Sequence, residues 1–175
     1  MSVPNLKTIG LFVDISNLYY CIGKKFPGRK LNFSDYLAFA TAPNVIYCAK
    51  AYGIEVNNEA AGFKTCLKYY GYDPIYKSPK IVEVNGKTEY RKTSWNVGLS
   101  MDVVRCIDKL DVIIIGSSDP ELASLVDWIK QHGRECVVVA CGISKELKIV
   151  ANSFKEITEE LLKVGDAVTE AAQPL

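Results

Sequence analysis

Histidine is almost missing from this chain of 175 residues, with His132 the one example. It precedes a glycine at the end of an apolar-periodic stretch, where its place beside a helix C-terminus is explained by the helix dipole. Ser-His and Cys-His nucleophile pairs therefore have no base to draw on. The six cysteines, at 21, 48, 66, 106, 136 and 141, include no C-x-x-C pair and lie mostly inside apolar runs. With one histidine to join them they cannot make a zinc site, and they read as reduced core thiols of a cytoplasmic protein. Neither G-x-G-x-x-G nor a P-loop is present, which removes the phosphate cradles those motifs build. No apolar run approaches membrane-spanning length, and the first residues show no charged region followed by an apolar stretch, so neither a membrane nor a secretory route is expected. A formal net charge of +1 provides no chain-wide basic field, so any nucleic-acid contact has to come from local patches.

What is present begins with Thr8-Ile-Gly-Leu-Phe-Val-Asp-Ile-Ser-Asn17. Its apolar run is continuous rather than alternating, as in a strand covered on both faces, and it stops at a carboxylate followed by turn formers. Asp14 then stands at a strand's carboxyl end, the side on which open parallel sheets bind ligands. Capping of the next helix by Asp14 or Ser16 explains the same residues without a ligand. Asp111-Val-Ile-Ile-Ile-Gly-Ser-Ser-Asp119 repeats the design, and Pro120 in the following first turn makes Ser118 or Asp119 a cap. One cap is needed there and two candidates are offered.

Helices are expected over 16–26, 31–41 (started by Ser34-Asp35), 57–71, 96–110, from Pro120 to Gly133, over 144–152 and over 158–164. Further strands are expected over 45–53, 73–76, 136–141 and 154–157, with a tail from 166 to 175. The β-α-β-α-β order predicts a mostly parallel sheet with helices on both faces, in one domain over 1–165. Between 80 and 92, Asn85-Gly86 separates two alternating arms, the signature of a hairpin, here an insertion over about 78–92 at the sheet's edge.

Two cationic groups stand out: Lys24, Lys25, Arg29 and Lys30 after the first helix, and Lys80, Lys87, Arg91 and Lys92 in the hairpin. Phosphate contact explains both groups. So do solvation for the first and protection of an exposed strand for the second. In the helix over 96–110, Leu99, Val103, Cys106, Ile107 and Leu110 form one stripe, and Asp102 lies about 80° from its centre at ~100° per residue. A carboxylate bordering a buried face needs a partner, and Arg105 or Lys109 can supply one as a surface ion pair.

If the two acid-tipped strands are neighbours, Asp14, Asp102 and Asp119 can converge. Carboxylates held together repel unless a cation sits among them, and oxygen-only ligands suit Mg²⁺ or Mn²⁺. Metal-assisted attack on a phosphodiester is the chemistry this favours. Asp14-x-Ser16 lacks the second aspartate of phosphoaspartate hydrolases, and Leu18 stands where a metal-ion-dependent adhesion site would want a serine.

Phe12-Val-Asp-Ile-Ser-Asn-Leu18, Lys92-Thr-Ser-Trp-Asn-Val-Gly-Leu-Ser-Met-Asp102 and Ile115-Gly-Ser-Ser-Asp119 resemble the motifs of the NYN family of PIN-like domains, in the bacterial group related to LabA. The strand over 135–140 and Ile143-Ser-Lys-Glu-Leu147 with Phe154 extend the resemblance along the chain. It implies a PIN-like α/β/α sandwich and a Mg²⁺- or Mn²⁺-dependent ribonuclease, with RNA as partner and a homodimer as a compatible assembly. It also implies that Asp14, Asp102 and Asp119 are acidic site residues and metal ligands, with Asn17 a neighbouring polar contact. Asn96 stands where the family has an aspartate, and Ser117 where it has the first aspartate of its S-G-D-S-D motif. Both still offer oxygen to a metal, but with two charges fewer the site should hold its ion more weakly. The alternative class is a catalytically degenerate domain that binds nucleic acid or a protein.

Overall fold

The unbroken apolar runs occupy the middle of the sheet in the computed structural model. The structure describes residues 6–55, 60–84, 87–91 and 93–164, with the side chains of 84 and 87–91 excepted. Six parallel strands form one sheet: β1 (Thr8–Asp14), β3 (Val45–Ile54), β4 (Asp73–Lys77), β7 (Val112–Gly116), β8 (Glu135–Ala140) and β9 (Ser153–Glu156), in the order β4-β3-β1-β7-β8-β9. In β1 every residue from Ile9 to Asp14 is buried, and all five residues of β7 are buried. Such strands need cover on both faces, which helices on parallel crossovers provide. The expectation of two neighbouring acid-tipped strands holds, since Ile9 pairs with Val112 and Val13 with Gly116.

Among the described residues six helices supply the cover: α1 (Ile15–Lys25), α2 (Phe33–Thr41), α3 (Ala61–Tyr69), α4 (Asn96–Cys106), α5 (Ala123–Gln131) and α6 (Lys145–Val150). The pleat assigns faces. Odd-numbered Val13 of β1 and Gly116 of β7 lie beside Tyr36 of α2, whose hydroxyl donates to the Val139 carbonyl at 2.7 Å. A Cβ at Gly116 would meet that hydroxyl at 2.6 Å, so glycine lets the helix close on the strand. Even-numbered Gly10 lies beside Leu110, which follows α4 on the opposite face. The result is the expected α/β/α sandwich.

Several element boundaries move. The second helix starts at Phe33, with Asn32 rather than Ser34-Asp35 as its cap. Residues 56–59 lie outside the described residues, and α3 begins at Ala61; its Leu67 is buried while Cys66 is exposed. The helix expected over 96–110 ends at Cys106 and tightens into a single 3-10 turn over Ile107–Lys109. The helix expected over 158–164 is instead a 3-10 turn, Glu159–Leu161, followed by β10 (Leu162–Val164). That strand pairs antiparallel with β2 (Arg29–Leu31), so the expected cationic loop is half strand. In the insertion, β5 (Lys80–Val84) and β6 (Lys87–Arg91) pair only with each other, directly after edge strand β4. Asn85, Gly86, Lys92 and the tail over 165–175 lie outside the described residues. Among the described residues no helix is long and apolar enough to cross a membrane.

Candidate active site

Asp14 ends β1 and caps α1, its Oδ1 accepting from the Asn17 N–H at 3.1 Å. It is only 6% exposed. Burial pushes its carboxyl above the usual aspartate range; the Asn17 and Ser16 N–H groups and Lys77 pull it down, while the charge of Asp119 pushes it up. A carboxyl whose pKa is higher folded than unfolded favours the fold below the unfolded value of 3.8, and that contribution is lost as pH rises through the folded value. At neutral pH the ionised Asp14 therefore opposes folding, and a cation placed beside it would offset the cost.

Asn17 and Ser118 hold the two acid-tipped loops together. The Asn17 Oδ1 accepts from the Ser118 N–H at 2.8 Å and from its hydroxyl at 2.9 Å, and the Ser118 hydroxyl also meets the Cys21 thiol at 3.0 Å. Asn17 thus acts as a strut between α1 and the loop after β7. Ser117 is fully buried, and its Oγ accepts from the Asp119 N–H at 3.2 Å, fixing the turn that presents Asp119. Asp119 in turn caps the 3-10 turn Pro120–Leu122, accepting from the Glu121 N–H at 3.0 Å through Oδ1. Its other oxygen is left to face α4.

Asn96, the first residue of α4, meets it there. The Asn96 amide donates to Asp119 Oδ2 at 3.0 Å and to Glu121 Oε2 at 2.7 Å, bridging two carboxylates, while its own Oδ1 is buried without a partner among the described residues. The N-terminus of α4 is fixed from the sheet side. The Trp95 indole donates to the Gly53 carbonyl at 2.7 Å and its ring packs on Tyr52, which pairs in register with Asp14. Lys77, at the end of β4, lies over the Trp95 ring at 4.1 Å and donates to the Ser94 carbonyl at 2.6 Å.

Asp102 is not part of this group. Two turns into α4 it faces β3, where Oδ2 accepts from the Tyr52 hydroxyl at 2.9 Å and pairs with Lys50 at 3.2 Å, and Oδ1 pairs with Arg105 at 3.0 Å. Burial raises its pKa, but the bonds from Tyr52, Lys50 and Arg105 outweigh that and hold the carboxyl below its ordinary value. The expected Arg105 pair exists, whereas Lys109 lies over Tyr47. Among the described residues no three His, Cys, Asp or Glu side chains gather as a metal cage, so the expected convergence of Asp14, Asp102 and Asp119 fails at Asp102. The reason is the helix phase: the border position that keeps Asp102 from bulk solvent points it at Lys50 and Tyr52 of β3.

The NYN-domain family model matches residues 8–158 of the chain. The chain belongs to the NYN family. NYN domains are PIN-like nucleases as a family. No curated protein matches this NYN chain by sequence. Among solved structures it is similar to a protein of unknown function from Vibrio parahaemolyticus, with a TM-score of 0.80 and 24% identity over 93% of this chain and 100% of that one. At that identity the likeness speaks for the fold.

Two residues of the group escape sequence reading. Glu121 looks like an ordinary first-turn acid, favoured by the helix dipole, and only the fold places it against Asn96. Lys77 is hidden in the charge of the hairpin segment, although its position at the end of a strand is the same signal that marks Asp14. The cationic residues diverge in setting. Arg29 pairs with Glu159 at 2.9 Å and Lys25 with Glu156 at 4.0 Å, while Lys24 lies over the Tyr20 ring and Lys80 is exposed. Lys30 sits in β2, paired with Lys163. The side chains of Lys87 and Arg91, and all of Lys92, lie outside the described residues.

Proposed function

We propose that this NYN domain hydrolyses RNA phosphodiesters with the help of Mg²⁺ or Mn²⁺. The observation that carries the reading is the buried Asp14 at the end of β1, facing the charge of Asp119 from neighbouring β7, with no ion pair to either carboxylate among the described residues. The donor set fits a hard cation. It is all oxygen: the carboxylates of Asp14 and Asp119, with Glu121 tied to Asp119 through the Asn96 amide, and Mg²⁺ commonly takes only one or two protein carboxylates together with substrate phosphates. A cation bound there would supply an activated water and offset charge developing on the phosphate.

The chain's own residues divide the remaining work. Asp14 and Asp119 would hold the ion, the Asn96 amide orients Asp119 and Glu121, and Asn17, Ser117 and Ser118 fix the two loops relative to one another. Asp102 acts at one remove, by holding Tyr52 and through it the wall on which Trp95 and Asn96 rest. RNA reaches this edge between the cations carried by α1 and those of β4 and the hairpin.

One observation favours a second reading. The Asn96 amide already satisfies Asp119 and Glu121 with N–H groups, so the chain can keep the two acids together without an ion, as a binding module that does not cleave would. The test is incubation of structured and single-stranded RNA with the chain in Mn²⁺, Mg²⁺ and EDTA, alongside Asp14→Asn. Cleavage that needs the metal and disappears in the variant is expected. Undiminished RNA affinity with no cleavage at any Mn²⁺ concentration would give the binding module the better claim.

A further inference from the structure

Lysines in this protein are mostly neutralised where they approach a carboxylate: Lys50 by Asp102, Lys64 by Glu55 and Lys148 by Glu156. Lys77 differs. Among the described residues no carboxylate forms an ion pair with it, yet its ammonium is fixed, by the Ser94 carbonyl at 2.6 Å and the Trp95 ring at 4.1 Å. A carbonyl and a ring face position a cation without cancelling its charge, and an ammonium with three donors keeps others for a ligand. Both anchors are the residues immediately before Asn96, so the position of Lys77 is locked to that of the acidic group.

The field around it has a direction. Burial lowers the Lys77 pKa, and neighbouring Lys80 lowers it further, while Asp14 raises it. Lys77 therefore stands between a second cation toward the hairpin and the buried carboxylate of β1. It is too far from Asp14 to pair with it and near enough to feel its charge. An RNA strand brought to Asp14 and Asp119 is repelled through its phosphates, so a cation on the approach side has a clear use.

We propose that Lys77 is a phosphate-binding residue, its ammonium taking a non-bridging oxygen of an RNA phosphate beside Asp14 and Asp119. The assignment rests on the reading of RNA as substrate. A purely structural role, tying β4 to the start of α4, is the competing account.

The test is RNA binding by the full chain in EDTA, where no metal-dependent cleavage intervenes, over a series of salt concentrations. Wild type, Lys77→Met and Lys77→Arg are compared, with thermal melts in parallel. Loss of one charge-assisted phosphate contact should weaken Lys77→Met roughly tenfold and make its log–log salt slope shallower by about 0.7, the value for one phosphate of a single strand, while Lys77→Arg keeps the slope. Should Lys77→Met fail to fold, Lys77→Gln, which retains a donor for the Ser94 carbonyl, carries the same expectation. A lower melting temperature with affinity and slope unchanged would overturn the assignment and leave Lys77 a strut. Mn²⁺-dependent cleavage together with that unchanged slope would spare the hydrolytic reading and remove this one. A Lys77-dependent slope in a chain that never cleaves RNA would do the reverse.

Discussion

Replacing the Asn96 amide with a carboxylate would set three acids together where two now share one set of N–H donors. Two charge-assisted hydrogen bonds are lost and repulsion is added, with a discount because Glu121 is exposed. Metal-free Asn96→Asp should lose about 2 kcal/mol, or roughly 4–8 °C of melting temperature. The same change places a further charge beside any hard cation, so Mn²⁺ affinity should rise by about tenfold, and Mn²⁺ should restore the lost stability by mass action. Calorimetric titration with Mn²⁺ and melts with and without it check both halves. Equal Mn²⁺ affinity in the two proteins would mean that Asn96 only ties α4 to the loop after β7. The other departure from the family pattern behaves differently: Ser117 is fully buried, and its hydroxyl is occupied by the Asp119 N–H, so it shapes the turn.

Helix α4 joins two jobs, presenting Asn96 at its first residue and gripping β3 through Asp102. Asp102→Asn should leave Lys50 without a carboxylate in a half-buried setting, costing about 1–3 kcal/mol in melting or denaturant experiments. Its pH signature is specific. A carboxyl held below its unfolded pKa contributes stability that is present above that value, 3.8, and is lost as pH falls through the folded one. Below that folded value wild type and Asp102→Asn should converge in stability, whereas near neutrality they differ. A gap that persists into acid would show that shape rather than charge is responsible. This element also marks the limit of sequence reading. Its apolar stripe places α4 on the sheet, and the unbroken runs of β1 and β7 reveal the two central strands. Arg105, one turn away, is legible as a partner of Asp102, but Lys50 and Tyr52 stay hidden because they are about fifty residues away. Strand β10 is hidden for the same reason: Leu162-Lys-Val164 is too short to show a period, and what makes it a strand is β2, some 130 residues earlier.

Taken whole, the molecule sets its cations at two ends of one edge. Helix α1 passes the loop after β7, where Cys21 meets Ser118, and finishes near β9, where Lys25 approaches Glu156; Lys77 and Lys80 lie at the other end, by β4. RNA crossing the strand ends would touch both. The first cationic group should then split: Lys24→Ala should make the salt slope of RNA binding shallower by roughly 0.7, the value for one single-strand phosphate, and Arg29→Ala should change it little, because Glu159 already neutralises that guanidinium. An equal loss from Arg29→Ala would place RNA on the β2–β10 ribbon instead. The central place of β1 has a further consequence, for the birth of the protein. Its backbone is bonded on one side to β3 and on the other to β7, whose Val112 pairs with Ile9 across about a hundred positions of chain. At translation speeds of ~5–20 residues per second, one flank of this buried strand waits several seconds on the ribosome for its neighbour. Over that interval the nascent chain carries an open, water-averse edge, and it is then, before any acid of the site has met another, that it most needs the shelter of a chaperone.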